Sequence, residues 1–362
     1  MNFSKIKTNG LHKFSLSRPV LAALSAAILF GGSTPLAKVL VNQASPILLA
    51  GLLYLGSGIG LMLIRLIRDH GWKNPALSKK EWPWLLSAIS FGGILGPILL
   101  MFGLTQASAA NASLLLNLEA VLTAVIAWVV FKENTDHRIV LGMFFIVAGG
   151  VLLSWPHEQI SVHGGIGSLA IAAACLCWAI DNNLTRKVSA SDALFLSSSK
   201  GLIAGIVNIS LAYELGMQMP TWTTTAAALL CGFLGYGVSL LLFIFALRGL
   251  GTARTGAYFS IAPFIGAAIA ILFFQEEPSI LFWIAFLLMS FGVGLHLTEK
   301  HEHEHVHEAI FHDHQHMHDE HHQHDHDFPC DVTKAHSHPH QHETLVHTHR
   351  HYPDLNHRHQ HE

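Results

Sequence analysis

Of 362 residues, 51% are hydrophobic and only 12% are Asp, Glu, Lys or Arg, about half the roughly 25% charge of an average soluble domain. With a mean hydropathy of +0.41, this excludes an ordinary soluble enzyme. The net charge of −3 averages two unlike segments: residues 301–362 hold 12 acidic and three basic side chains and 22 of the 28 histidines, whereas residues 1–300 hold 18 basic and 12 acidic ones.

A helix needs about 20 apolar residues to cross a bilayer core. After a basic N-terminal segment, 1–18, ten such runs follow, at 19–41, 46–67, 82–104, 111–131, 138–155, 166–185, 193–214, 222–247, 255–274 and 280–297. Lys5, Lys7, Lys13 and Arg18 precede the first run in the outline of a signal peptide. That run continues past the usual 7–15 residues and more spans follow, so a retained first helix is expected. Small residues four apart (Gly56/Gly60, Gly92/Gly96, Gly201/Gly205) let helix backbones approach closely. The predicted fold class is an all-α polytopic membrane protein of ten transmembrane helices. Cys175, Cys177 and Cys231 lie inside apolar runs and Cys330 stands alone near the C-terminus. Cysteines so placed form no disulfide framework, and the first three are expected to pack as small hydrophobes.

Lys and Arg set the orientation. With the N-terminus in the cytoplasm, the inside segments hold Lys5, Lys7, Lys13, Arg18, Arg68, Lys73, Lys79, Lys80, Lys132, Arg138, Arg186, Lys187, Arg248, Arg254 and Lys300. The outside loops, near 42–45, 105–110, 156–165, 215–221 and 275–279, hold none. By the positive-inside rule both termini are expected in the cytoplasm of a bacterial inner membrane.

The apolar part also repeats itself. At an offset of 143, Phe102 meets Phe245, Leu104 meets Leu247, Ala110 meets Ala253, Ala124 meets Ala267, Phe131 meets Phe274, Glu133 meets Glu276 and Gly149 meets Gly292. At an offset of 148, Phe30 meets Trp178, Leu36 meets Leu184 and Lys38 meets Arg186. Five spans in each half, 19–155 and 166–297, mean that the second half enters the membrane upside down. Inverted repeats are the plan of many secondary transporters, with substrate near the midplane between halves.

At these residues the chain resembles the drug/metabolite transporter superfamily, EamA type. The first-half segment Gly103-Leu104 … Ala107-Ser108-Ala109-Ala110-Asn111-Ala112 … Phe131-Lys132-Glu133 … Gly142 … Gly149-Gly150 is similar to the family's fourth and fifth helices. The segment Ala246-Leu247 … Pro263 … Phe274-Gln275-Glu276 … Gly292 resembles the ninth and tenth. The resemblance covers about 19–297. It implies ten helices in two five-helix repeats and export of small molecules, and names no substrate. Where the family often has Pro in its fourth helix, this chain has Ala120, preceded by Glu119; Pro263 is kept.

Ionisable groups at membrane depth are costly and mark functional sites. Glu119, about eight residues into its span, is the leading candidate for the transport pathway, with Asn111 and Asn117 on the same run; at i−8, Asn111 lies nearer its face. Two chemistries fit Glu119: proton exchange, since a low dielectric disfavours a charged carboxyl, and cation ligation. Against these stands a neutral, hydrogen-bonded structural carboxyl. Asp181 follows Trp178 near the inner end of the sixth span, beside Asn182 and Asn183, with Thr185 at i+4 a better partner than Arg186 at i+5. Lys200, two turns into the seventh span, either snorkels to the interface or pairs with Asp181. Lys38 and Arg186 are read as snorkelling, Glu133 and Glu276 as interface residues that pair locally, with Arg138 a candidate for Glu133, and His296 as interfacial.

The segment 298–362 is a separate module, predicted to be disordered and metal-binding. His301, His303, His305 and His307 alternate with Glu302, Glu304 and Val306; then come His312, His314, His316, His318, His321, His322, His324 and His326, with further clusters at 336–342 and 347–361. Imidazole with interleaved carboxylate suits Zn, Ni or Co. Irregular spacing predicts several exchanging sites rather than one fixed tetrahedron. Because neutral imidazole is the ligand, binding should fade below about pH 6.

Three functions are weighed. The first is a secondary exporter of a divalent metal ion collected by the tail. The second is an exporter of an organic metabolite with the tail as metal-responsive regulator. The third is a membrane-anchored metal buffer, against which the repeat and Glu119 argue. No P-loop and no nucleophile–base pair supports an enzyme, and no cofactor is required beyond metal on the tail. Membrane lipid, the small-molecule or metal-ion substrate and a second copy in a homodimer are the candidate partners; nucleic acid is not, for want of a basic domain.

Overall fold

The computed structural model describes residues 18–75, 77–131, 137–154, 163–188 and 191–297, and, in the tail, 302–307, 311–316, 336–341 and 345–350. The chain separates into two compact units, Met1–Thr298 and Glu299–Glu362.

Within the first unit every described regular element is helical. Eight helices are long and apolar enough to cross a membrane: Arg18–Val41, Pro46–Arg68, Trp82–Gln106, Ala109–Val130, His137–Ser154, Gly165–Thr185, Ala193–Glu214 and Trp222–Ala246. We refer to them as the first to eighth helices. Two shorter apolar helices follow, Ala262–Phe274 and Ile280–Leu295. Starts obey local chemistry. Pro46 occupies the first turn of the second helix, where its missing N–H costs nothing. Ser108, Asp192 and Thr221 each cap a helix by accepting a backbone N–H, from Asn111, Leu194 and Thr224.

Two boundaries differ from the sequence reading. The fourth helix is broken at Leu116–Asn117, between Ala109–Leu115 and Leu118–Phe131. The eighth continues as Ser239–Phe259 through the stretch expected to be a loop near 248–254. No Pro interrupts that stretch. The turn comes instead at Ser260–Ile261, and Pro263 lies in the first turn of the next helix.

Irregularities recur in the two halves. A π-helical segment interrupts the third helix at Ile89–Leu95 and the eighth at Phe233–Val238. Their starts agree with the 143-residue offset to within one residue, as do the breaks at 116–117 and 260–261. Helical π turns are rare and concentrate at functional positions.

The core joins both halves, with Leu48, Leu52, Leu104, Leu115 and Ile171 packed with Ala267, Phe282 and Met289. The second and seventh helices cross where Gly58 meets Gly201; a Cβ on Gly201 would fall 2.6 Å from the Gly58 Cα. This is the close approach that small residues allow. Large apolar side chains such as Phe144, Leu272, Phe273 and Ile280 are exposed, as a lipid-facing surface requires. At one end of this crossing the fully buried Arg65 holds Asp192 at 2.9 Å and donates to the Lys73 carbonyl at 2.8 Å. Its guanidinium lies 5.2 Å from the rings of both Trp72 and Phe195. Burial works to raise the Asp192 carboxyl, and hydrogen bonds from Arg68 and Arg65 outweigh it, holding Asp192 below its ordinary range.

In the tail unit, Glu302–His307 pairs antiparallel with Leu345–Arg350, and Phe311–His316 with His336–Gln341. Their period-two alternation is also that of a strand.

Candidate functional site

The π turn in the third helix opens the regular i→i+4 ladder. Within it, the Gly92 carbonyl accepts hydrogen bonds from the Tyr54 hydroxyl at 2.7 Å and the Trp178 indole N–H at 3.0 Å. Two aromatic rings from different helices are thereby fixed on one oxygen. Gly92 also has no room for a side chain, because a Cβ would collide with the Asp181 carboxylate, and one on Gly96 would lie 3.0 Å from the Trp178 nitrogen. The Gly92/Gly96 pair therefore seats Asp181 and Trp178 of the sixth helix.

Asp181, 6% exposed, is the centre of a saturated network. Lys200 Nζ lies 2.6 and 2.8 Å from its two oxygens and 3.3 Å from Thr185 Oγ1, so all three ammonium donors have acceptors. Thr185 donates to Asp181 Oδ1 at 2.9 Å. Of the two readings of Lys200, the structure has the ion pair rather than snorkelling, and Thr185 is the i+4 partner. The Arg186 side chain lies outside the described residues.

Glu119 stands in the first turn of the second segment of the broken fourth helix, where the helix dipole favours a carboxylate. Its Oε1 accepts from Asn182 Nδ2 at 2.9 Å. The same amide lies 3.3 Å from Thr123 Oγ1.

Glu119, Asp181 and Lys200 share one cavity of about 240 Å³, walled by Phe30, Tyr54, Ser57, Trp178, Ser197, Gly201, Tyr236 and Leu240. Three of its rings are in contact: Tyr236 meets Phe30 edge-on at 6.0 Å and Tyr54 at 5.8 Å. These walls come from the first, second, fourth, sixth, seventh and eighth helices, so residues of both halves enclose the space.

Asn111 and Asn117 are not part of that lining. The Asn111 backbone N–H is taken by Ser108, and Asn117 Nδ2 turns back to the Leu114 carbonyl at 2.9 Å, satisfying an open carbonyl at a helix end. The break at Leu116–Asn117 places Asn111 and Glu119 on different segments, so the i−8 relation of an unbroken helix fails. Lys38, half-buried, donates to the Leu104 carbonyl at 2.5 Å. Glu276 accepts from the N–H groups of Ala109 and Ala110 at 2.8 and 2.9 Å, capping the fourth helix instead of pairing locally. Glu133, its pairing with Arg138, and the side chain of His296 lie outside the described residues. So do the side chains of the tail histidines. Cys175, Cys177 and Cys231 are buried and free, as small apolar packing implies.

Sequence reasoning did not place Phe30, Tyr54 or Tyr236 in a site; it named Phe30 and Trp178 only as a pair in the repeat and Trp178 and Asn182 as neighbours of Asp181. The available signal for the tyrosines was a hydroxyl amid Gly-rich apolar stretches, Tyr54 before Gly56 and Tyr236 between Gly235 and Gly237. Among the described residues, no three His, Cys, Asp or Glu side chains are grouped to hold a metal ion.

The EamA-like transporter family matches the chain twice, over 17–155 and 165–298. The chain belongs to the EamA-like transporter family. An uncharacterized transporter of Methanothermobacter thermautotrophicus is 26% identical over 75% of this chain and 84% of its own. The uncharacterized transporter YyaM of Bacillus subtilis is 26% identical over 67% of this chain and 81% of its own. A probable 4-amino-4-deoxy-L-arabinose-phosphoundecaprenol flippase subunit, ArnE of Pseudomonas aeruginosa, is 34% identical over 31% of this chain and 96% of its own. A solved crystal structure, 20% identical, superposes with a TM-score of 0.57 over 78% of this chain and 96% of that one, a likeness of fold. The chain is thus a multi-pass membrane transporter and not an enzyme.

Proposed function

We propose that this protein is a secondary exporter of a small organic molecule, with Glu119 as the group that couples transport to proton movement. The observation that carries this reading is the meeting of Glu119 and the Asp181–Lys200 pair on one aromatic-walled cavity enclosed by both halves. An alternating-access carrier needs such a site, with a group that takes up and releases a cation as access changes. Efflux driven by a pH gradient in inverted vesicles, wild type against Glu119→Gln, tests it.

The same reading takes the chain as ten spans in two inverted five-helix repeats, 19–155 and 166–297, in a bacterial inner membrane. The double family match, the recurring π segments and helix breaks, and a relative that is nearly all covered by one third of this chain support it. Tags at residues 2, 76 and 362 should all report cytoplasm and one at 160 the outside. A tail found outside would overturn the Lys/Arg argument.

A metal-ion cargo is the second reading, favoured by the 22 tail histidines. Against it, the cavity offers two carboxylates and no His or Cys, a poor set for Zn, Ni or Co. The tail then acts as a metal-responsive module on an organic exporter. Residues 299–362 alone are expected to bind more than one Zn or Ni and to release them near pH 5, as imidazoles protonate. Binding no tighter than that of a length-matched polar peptide, measured by calorimetry, would remove this role.

A further inference from the structure

We propose that the cargo is a small organic monocation, an amine or quaternary ammonium on an apolar body, held by Glu119 against the Phe30–Tyr236–Tyr54–Trp178 wall. This rests on the reading of the cavity as the transport site.

The argument is an accounting of donors and charges on the lining. A carboxylate cargo needs a free cation, and Lys200 has all three donors engaged by Asp181 and Thr185. A zwitterion needs both signs, so it meets the same obstacle. A neutral polyol needs several open hydrogen-bonding groups. The Tyr54 hydroxyl and the Trp178 N–H both donate to the Gly92 carbonyl, which leaves the Ser57 and Ser197 hydroxyls of the lining for such a cargo. The cavity is still lined by aromatic rings and by the Glu119 carboxyl, whose one described side-chain partner is an uncharged amide. Aromatic faces attract cations, more strongly where water is excluded. A carboxylate beside them fixes the ammonium end, and the rings receive an apolar body. The geometry is pre-formed: one carbonyl anchors Tyr54 and Trp178, and Tyr236 packs between Phe30 and Tyr54. Little ordering entropy is then lost on binding.

Four probes of one body and different heads test this: 3-phenylpropylammonium, 3-phenylpropanamide, 3-phenylpropionate and L-phenylalanine, titrated by calorimetry into the purified full-length protein in detergent. The ammonium is expected to bind at least about tenfold tighter than each of the others, the upper range of a desolvated cation–π contact with a carboxylate behind it. Glu119→Gln should erase most of that preference. Tyr236→Leu should weaken the cation several-fold and Tyr236→Phe should restore it. The wild-type comparison needs no variant to fold. Equal or tighter binding of the propionate or the amino acid overturns the assignment, as does failure of the cation to bind. Cation-selective binding without pH-driven transport in proteoliposomes would leave the site's selectivity standing and sink the exporter reading. Glu119-dependent efflux of the propionate would do the reverse.

Discussion

Glu119→Gln is expected to insert at near-normal levels and to lose pH-driven efflux down to the level of vesicles lacking the transporter. The substitution is nearly isosteric, and glutamine keeps an Oε1 acceptor for the Asn182 amide that now lies 2.9 Å away. The helix break, the Thr123 contact and the cavity wall should persist. What disappears is the ability to carry and release a proton. A coupled carrier that cannot titrate exchanges cargo without accumulating it, so downhill exchange can survive while uphill efflux does not. Deleting 301–362 should have the opposite profile: efflux remains, because the helical unit Met1–Thr298 is a separate compact body, and sensitivity to Zn or Ni falls. Inverted vesicles with a pH-sensitive dye and labelled cargo distinguish the two. Full efflux in Glu119→Gln would move the coupling role to Asp181.

The apolar runs were legible because a bilayer imposes length and apolarity on each helix, and eight of them appear as helices long and apolar enough to cross one. The charge pair was partly legible for a similar reason: Asp181 and Lys200 at depth each need a partner. The breaks were not. Leu116–Asn117 contains no Pro or Gly to announce an interruption, while the gap between apolar runs that holds Arg248 and Arg254 was expected to be a loop where the helix runs on to Phe259. The aromatic wall was hidden for another reason. In a helix apolar on every side, periodicity does not say which face turns inward, so nothing marked Phe30 or Tyr236 as cavity-facing. Glu276 was misjudged because its acceptors' donors, Ala109 and Ala110, lie more than 160 positions away in sequence. No local pattern encodes that contact.

Lys200→Met should destabilise the protein more than the double change Lys200→Met with Asp181→Asn. The lysine side chain is 19% exposed and the aspartate's 8%, so both charges are largely out of water. Removing only the ammonium leaves a carboxylate wedged against Gly92 with Thr185 as its remaining described side-chain donor. Breaking a buried pair from one side costs about 3–5 kcal/mol, whereas replacing both partners by neutral groups of similar volume is often close to neutral. The single variant is therefore expected to unfold several degrees lower and to accumulate less in membranes, and Asp181→Asn should rescue both. Thermal unfolding of the purified variants, followed by tryptophan fluorescence, gives the comparison. Trp178 is one of the eight tryptophans that contribute to that signal, and its N–H shares the Gly92 carbonyl with Tyr54 beside the seat of the Asp181 carboxylate. If the single and double variants unfold together, the pair is not holding the sixth and seventh helices in register. Lys200 would then be a cation free to leave Asp181 during the cycle, and the cavity would have a place for an anionic group after all.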